Sequence, residues 1–129
     1  MDAEAAARRW AAGWERAWPA ADVSELAGLY ADGVLFLSHP FRPLQPVREY
    51  AAWAFADQAA AECRFGAPVA AGSRAAVDWW AVVTARDGTV ETLAGTSLLR
   101  FAPDGRVVEQ RDVWAAEPGR HELPAWATA

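Results

Sequence analysis

The chain has 129 residues, of which 53% are hydrophobic and 22% charged, and this is sufficient for one folded domain with a sizeable core. A net charge of -5 and a pI of about 4.9 argue against nucleic acid as a partner, because phosphate binding needs a basic surface. A single cysteine, Cys63, allows no internal disulfide and fits a reducing compartment. The sequence contains no apolar run of the roughly 20 residues that span a bilayer, and no signal-peptide core. We therefore expect one cytoplasmic domain, residues 1–129, with no membrane partner.

The first predicted element is a helix over residues 2–18. Alanine and arginine favour a helix there, and Trp10, Trp14 and Trp18 recur at i, i+4 and i+8 along one face. Pro19 is expected to end it. Such a stripe is typical of a core-facing surface, and indole rings with a polar N–H edge could also line a ligand cavity.

Two further helices are predicted before the middle of the chain. Asp22 and Glu25 have the spacing of a capping box, and an apolar stripe that includes Tyr30 follows them. Pro46 then opens a helix expected over residues 47–62. Its flank carries the sequence's next tryptophan, Trp53, which is a candidate substrate-binding residue.

A short buried strand, residues 34–37, separates these helices and runs into a proline-pinned loop that contains His39. A histidine fixed at the end of a buried strand could carry a proton. It could equally be a structural histidine that hydrogen-bonds the loop. Arg42, three residues later, could clamp an anion or form an ion pair with an acid.

The second half of the chain reads as a meander of strands. Residues 74–83 are rich in β-branched and aromatic side chains, and the Asp87-Gly88 pair predicts a two-residue hairpin turn after them. That turn would pair Trp80 with Gly95 and Asp78 with Ser97. A large ring over a glycine, flanked by polar groups, is typical of a cavity wall.

A second hairpin is predicted around Pro103, Asp104 and Gly105. A four-residue loop would pair Ser97 with Gln110, whereas a bulge at Gly105 would shift the register by one residue and invert the faces. The four-residue loop is preferred because it gathers the polar and aromatic candidates on one face: Asp78, Trp80, Ser97, Gln110, Asp112 and Trp114.

The same register places Val77 and Trp79 on the outer sheet face, where large apolar groups need cover. We therefore expect a homodimer that packs through them. The tail, residues 115–129, contains three proline or glycine breaks and is given no regular structure. Trp126 within it is expected to dock on the body of the domain or on a second subunit.

No phosphate loop, dinucleotide fingerprint, nucleophile elbow or zinc spacing occurs, so no cofactor is expected. A metal site is not expected either. The two histidines, His39 and His121, are far apart in the sequence, and only carboxylates could complete a ligand set.

The element order resembles the SnoaL-like branch of the nuclear transport factor 2-like superfamily over nearly the whole chain. The resemblance implies an α+β fold: a cone-shaped, curved, mostly antiparallel sheet wrapped around three N-terminal helices, with a pocket and commonly a dimer. Characterised members include polyketide cyclases, ketosteroid isomerase and epoxide hydrolases, which mostly use pocket carboxylates without a cofactor. The motifs that carry it are Trp14 and Trp18, residues 29–32, 39–42, 76–80, 93–97, 100–101 with Gly105, and 111–114.

Within this resemblance, Asp112 matches the acidic position of SnoaL-like cyclases. The isomerase's tyrosine–aspartate oxyanion pair and the epoxide hydrolase's Asp-Arg-Asp set have no convincing counterpart here. The family therefore does not fix a reaction.

Three functions follow from these residues. In the first, Asp112 is a general base toward a hydrophobic, carbonyl-bearing substrate; Trp80, Trp114 and Asp78 raise its pKa, and His39 or Tyr30 donates a proton. The second is a binding protein for a small apolar molecule, and the third is a dimeric scaffold. Arginine partners such as Arg42 or Arg111 would instead lower the pKa of either aspartate and make it a poor base. Candidate substrate-binding residues are Trp14, Tyr30, Trp53, Trp80, Ser97, Gln110 and Trp114.

Overall fold

A computed structural model describes residues 1–125. The prediction for Trp126 lies outside this range. Helices α1 and α2 and six strands are connected in an α+β order that includes one 3-10 turn. The elements are α1 Ala3–Ala20, the 3-10 turn Val23–Leu26, β1 Tyr30–Leu37, α2 Val47–Ala56, β2 Gln58–Phe65, β3 Val69–Ala71, β4 Arg74–Ala85, β5 Val90–Phe101 and β6 Val107–Pro118.

One curved sheet holds all six strands in the order β1-β6-β5-β4-β2, with β3 also paired to β4. Every pairing is antiparallel except that of β1 with β6. Three of the antiparallel pairs, β3–β4, β4–β5 and β5–β6, are hairpins of consecutive strands, whereas β2 pairs with β4 across β3 and β1 reaches its parallel partner through the rest of the chain. The predicted α+β architecture with a curved, mostly antiparallel sheet is confirmed.

Helix α1 lies against the concave face of the sheet. Asp2 caps it by accepting from the amide of Ala5 at 2.8 Å, and the helix continues through Pro19 to end at Ala20. Its tryptophans and alanines pack into a core shared with β4, β5 and β6. Neither helix in residues 1–125 is long and apolar enough to cross a membrane.

The predicted second helix is a single 3-10 turn. Asp22 does cap it, accepting from the amide of Ser24 at 2.9 Å, but the helical turn ends at Leu26. Gly28 then adopts a φ of 80°, which reverses the chain, and Tyr30 begins β1. Tyr30 is therefore a strand residue, with its side chain fixed by the sheet.

The third predicted helix is shorter than expected, because α2 ends at Ala56 and residues 58–65 form β2. Cys63 thus lies in a strand. The alanine-rich stretch here has no strong local preference, and pairing with the long strand β4 decides it. The side chain of Gln58 adds a 2.6 Å hydrogen bond to the carbonyl of Trp18.

The β4–β5 hairpin differs from the prediction by one residue. Ala85 pairs with Thr89 around a three-residue turn in which Gly88 has a φ of 88°. Trp79 consequently faces Gly95, so the predicted Trp80–Gly95 register is wrong. Since a shift of one residue exchanges the faces of a strand, Asp78 and Trp80 lie on the outer face of the sheet.

The β5–β6 hairpin contains two irregularities, and each shifts the register by one residue in the same direction. Its turn also has three residues, with Gly105 at a φ of 87°, and the register shifts again next to Phe101. Ser97 therefore pairs with Asp112, two residues from the predicted partner, and the faces are unchanged. The inner face carries Gly95, Ser97, Gln110, Asp112 and Trp114.

Two consequences follow for the surface. Val77 is fully buried and Trp79 is 6% exposed within their own subunit, so they cannot form the predicted dimer contact. The homodimer itself stays a prediction.

The prediction that the tail has no regular structure is wrong for residues 115–118. These residues belong to β6, because β5 is long enough to pair with them.

Gly95 should be the least replaceable residue of the inner face. An added Cβ would lie 2.6 Å from Cβ of Trp114 and 2.7 Å from the carbonyl oxygen of Val113. We expect Gly95→Ala to lower the free energy of unfolding by about 1–3 kcal/mol, as overpacking does. Urea unfolding followed by far-UV circular dichroism measures this.

Gly66→Ala is the matched control. Its new Cβ would be 3.6 Å from the nearest atom, and Gly66 has no positive φ. The control should be neutral or more stable by about 0.4–1 kcal/mol. Equal stabilities of the two variants would contradict the observed register.

Candidate functional site

A cavity of about 60 Å³ lies between the helices and the inner face of the sheet. This volume has room for a few water molecules at most and is far smaller than the ~300–1,000 Å³ of ordinary ligand pockets. The walls are mostly aromatic, with two aliphatic side chains and three polar side chains at the sheet. The lining residues are Trp10, Trp14, Trp18, Tyr50, Ala54, Phe55, Phe65, Trp79, Leu93, Ser97, Gln110, Asp112 and Trp114.

Asp112 is the acidic residue of this cavity. Its Oδ1 accepts from the hydroxyl of Ser97 at 2.6 Å and from Nε2 of Gln110 at 3.0 Å. Its Oδ2 receives only a longer contact, 3.3 Å, from the same Gln110 amide. One carboxylate oxygen therefore retains capacity to accept a hydrogen bond or a proton.

A second layer of side chains fixes the direction of the Gln110 amide. The indole N–H of Trp10 donates to Oε1 of Gln110 at 3.0 Å, and an indole nitrogen cannot accept. The hydroxyl of Tyr30 accepts from Trp14 at 2.9 Å and donates its own proton to the same Oε1. The Gln110 NH₂ group must therefore point at Asp112.

Ser97 is oriented in the same way. Trp79 donates its indole N–H to Oγ of Ser97 at 3.0 Å, which leaves the serine proton for Asp112. Every partner of the carboxylate is thus a donor, and each donor is held by an indole that can only donate. The network favours the ionised form of Asp112.

Burial opposes that preference. The loss of water around Asp112 raises its pKa from 3.8 to about 6, against the hydrogen bonds from Ser97 and Gln110, which lower it. Within residues 1–125 no arginine forms an ion pair with Asp112, and Arg111 instead contacts Glu109 at 3.4 Å. The carboxyl group therefore titrates near neutrality.

Tyr50 is a cavity residue that the sequence analysis did not select. Burial raises the pKa of its hydroxyl, the nearby charge of Asp112 raises the pKa further, and Arg42 lowers it. A neutral phenol beside a carboxylate can donate a hydrogen bond to a developing oxyanion. The signal for it was helical spacing: Tyr50 and Ala54 flank the buried stripe of Val47, Ala51 and Phe55.

His39 and Trp53 do not line the cavity but lie beside residues that do, His39 beside Trp114 and Trp53 beside Tyr50. His39 contacts that ring at 5.0 Å and accepts the amide of Phe41 at Nδ1 over 3.2 Å. Trp114 lines the cavity and donates its N–H to the carbonyl of Ser38 at 2.6 Å. Trp53 is 66% exposed and packs on Tyr50 at 6.0 Å.

Asp78 and Trp80 do not join the site. Asp78 is exposed on the outer sheet face and accepts from the hydroxyl of Thr96 at 2.7 Å. It therefore cannot perturb Asp112 as predicted. Tyr30 is close but does not line the cavity, and its proton is committed to Gln110. Burial raises the pKa of the Cys63 thiol to about 12, so the thiol is inert at neutral pH.

A groove of about 640 Å³ runs along β1 and the start of α2, and it is larger than the cavity. Asp112 does not line it, so we place the site at the smaller cavity, where the perturbed carboxyl group lies. Residues 1–125 hold no group of three or more His, Cys, Asp or Glu side chains that could bind a metal ion.

The curved sheet and the helices that cover it define an α+β fold of the nuclear transport factor 2-like kind. The sequence model of the SnoaL-like domain matches residues 7–110. The chain belongs to the SnoaL-like domain family. No curated protein matches it.

Two solved structures illustrate the shared fold. An NTF2-like protein of unknown function from Exiguobacterium sp. 255-15 is 18% identical with a TM-score of 0.69, over 90% of this chain and 99% of that one. SalBIII is described as an epoxide hydrolase/cyclase-like enzyme in pyran ring formation in the polyether salinomycin. It is 17% identical with a TM-score of 0.75, over 92% of this chain and all of its own.

The raised pKa of Asp112 predicts a pH-dependent stability. Between pH 3.8 and 6 the folded protein keeps a proton that the unfolded chain has released, so stability decreases as the pH rises through this window. The loss should total about 3 kcal/mol, and Asp112→Asn, which cannot ionise, should not show it. The difference between the two unfolding free energies, measured in urea from pH 4 to 8, gives the value directly.

The carboxyl ¹³C shift of Asp112 provides the independent check. It should titrate near pH 6. A midpoint below pH 4 together with a pH-independent difference in stability would show that burial does not perturb this group.

Proposed function

We propose that this protein is a small-molecule pocket protein that performs cofactor-independent general acid–base chemistry on a hydrophobic, carbonyl-bearing substrate. The observation that supports it is the state of Asp112: buried among aromatic rings, without an arginine partner in residues 1–125, and with a pKa of about 6. A base whose pKa lies near neutrality is largely deprotonated at neutral pH and still binds a proton strongly enough to remove it from a substrate.

The proposed reaction begins with proton removal from the carbon next to the substrate carbonyl. The less saturated oxygen of Asp112, Oδ2, takes the proton, and the electron pair of the C–H bond moves into an enolate. Tyr50 is the proposed donor to the enolate oxygen, in place of Tyr30, whose proton is held by Gln110. The enolate then attacks a second carbonyl carbon of the same molecule, whose C=O electron pair moves to its oxygen and takes the proton back from Asp112, or the enolate takes that proton at another carbon.

The cavity sets a condition on this chemistry. At about 60 Å³ it admits little more than water, so a substrate must displace the side chains at the cavity's edge. Trp18 lines the cavity from a half-buried position near the C-terminal end of α1 and is the side chain proposed to move. The pyran ring formation in the description of SalBIII favours a ring-forming substrate within this proposal.

The second candidate is a binding protein for a small apolar molecule. The aromatic lining supports it, because eight of the thirteen lining side chains are rings that need no chemistry to hold an apolar ligand. A homodimer belongs to either proposal, and light scattering at micromolar concentration tests it.

Asp112→Asn should lower turnover by about 10²–10⁴-fold, because a well-placed general base contributes that much. The amide keeps the shape and still accepts from Ser97. Deuterium incorporation next to the carbonyl, followed by NMR in D₂O over a panel of cyclic and polyketide-like ketones, measures proton abstraction whatever product the enolate goes on to form.

Asp78→Asn is the matched control, since it makes the same chemical change on the outer face. Its rate should equal that of the unchanged protein. If Asp112→Asn exchanges as fast as Asp78→Asn, Asp112 is not the base. Tight binding of the ketones without any exchange would favour the binding protein.

Tyr50→Phe should lower the same exchange rate by about 10²–10³-fold, which is the usual cost of removing one oxyanion donor. The ring is kept, so its packing on Phe36 at 5.2 Å remains. Tyr30→Phe leaves the proton donor of the cavity in place and should have a smaller effect. If Tyr30→Phe lowers the exchange rate more than Tyr50→Phe does, Tyr30 and not Tyr50 is the donor to the enolate oxygen.

A further inference from the structure

The rim of the cavity carries a cation held between two rings. The guanidinium carbon of Arg42 lies 5.3 Å from the ring centre of Trp114 and 5.7 Å from that of Trp53. A planar guanidinium stacks well on indole, and this position orients its donors. Trp114 lines the cavity, so Arg42 lies directly behind one wall of the site.

Arg42 has a charge that no carboxylate in residues 1–125 neutralises. Its side-chain hydrogen bonds go to Oγ of Ser38 at 3.3 Å and to the hydroxyl of Tyr50, whereas six other arginines form ion pairs with Asp or Glu. It also lowers the pKa of Tyr50, which shows that its field reaches the cavity. Most of its five N–H donors therefore remain for another partner.

The surface around this cation is apolar. Phe41 is 93% exposed and Trp53 is 66% exposed, although such rings are usually covered. His39 packs on Phe41 at 5.7 Å and on Trp114 at 5.0 Å, which joins these side chains into one rim. Exposed rings around one oriented cation match a ligand with a hydrophobic body and a single anionic group.

We infer that this rim binds the carboxylate of a hydrophobic acid and that the guanidinium of Arg42 is the anion-binding group. The rim is formed by His39, Phe41, Arg42, Trp53 and Trp114. The inference rests on the proposed function in one respect, because it narrows the substrate class to hydrophobic oxo acids. The carboxylate would stay at the rim while the carbonyl enters the cavity toward Tyr50 and Asp112.

Benzoate and benzamide form a matched pair of probes that differ in charge and share a ring and a planar head group. Titration calorimetry at pH 7.5 should show benzoate binding at least tenfold more tightly than benzamide. The chain's net charge of -5 repels anions in general, so a preference for benzoate requires a local cation.

Arg42→Gln should weaken benzoate binding by about 10–100-fold and leave benzamide binding unchanged, as expected for one charge-assisted interaction. Arg48→Gln is the control: it removes the same charge from an exposed position of α2 and should change the benzoate affinity less than twofold. Benzoate that binds no better than benzamide, or that binds equally to Arg42→Gln, would overturn the inference.

Arg42→Lys keeps the test decisive if the glutamine variant does not fold. Lysine retains the charge but loses the planar fork and the stacking, so benzoate affinity should fall between the values of the other two forms. If Arg42→Lys binds benzoate as tightly as the unchanged protein does, the stacked guanidinium is not required as the anion-binding group.

The result also separates this inference from the proposed function. If neutral ketones show deuterium exchange that depends on Asp112 and benzoate does not bind, the carboxylate site is wrong and the general base stands. If benzoate binding depends on Arg42 and no oxo acid shows deuterium exchange, the carboxylate site stands and the general base is wrong.

Discussion

The site depends on the hydrogen bonds of one buried carboxylate. Burial removes its water, and the donors that stabilise its charge remain. Asp112 sits on β6, and its partners come from β5 and from β6 itself, so the sheet register alone brings them together. The indoles of α1 then lock the Gln110 amide from the other side. Helix, sheet and acid form one hydrogen-bonded unit, because buried polar groups must all be satisfied.

How much of this could be read from the sequence depends on turn geometry. Asp-Gly marked the β4–β5 hairpin correctly, but a three-residue turn with Gly88 in the left-handed region replaced the two-residue turn. That single residue moved Asp78 and Trp80 outward. In the β5–β6 hairpin, the turn and a later bulge each shifted the register by one residue in the same direction, and the predicted inner face is correct only because a total shift of two residues restores it.

Element type was predictable where pattern and composition agreed. The Trp10–Trp14–Trp18 spacing fixed α1, whereas the capping box at Asp22 is equally satisfied by a 3-10 turn and did not determine helix length. Residues 58–62 are ambiguous by propensity and become a strand because β4 offers a pairing edge. Helical spacing places Tyr50 on the flank of α2, but its position near Asp112 depends on how α2 packs over the sheet, which is tertiary information.

The energetics of Asp112 bear on whether the pocket is functional. A domain that needed only stability would fill this space with an apolar side chain, because a buried, unpaired carboxylate costs free energy. Here a shift in pKa to about 6 corresponds to about 3 kcal/mol at neutral pH, a large part of the stability of a small domain. The surrounding serine, glutamine, tyrosine and indoles reduce that cost without neutralising the charge. This cost in stability supports the proposed chemical role of Asp112, because a scaffold would have no use for a buried carboxylate.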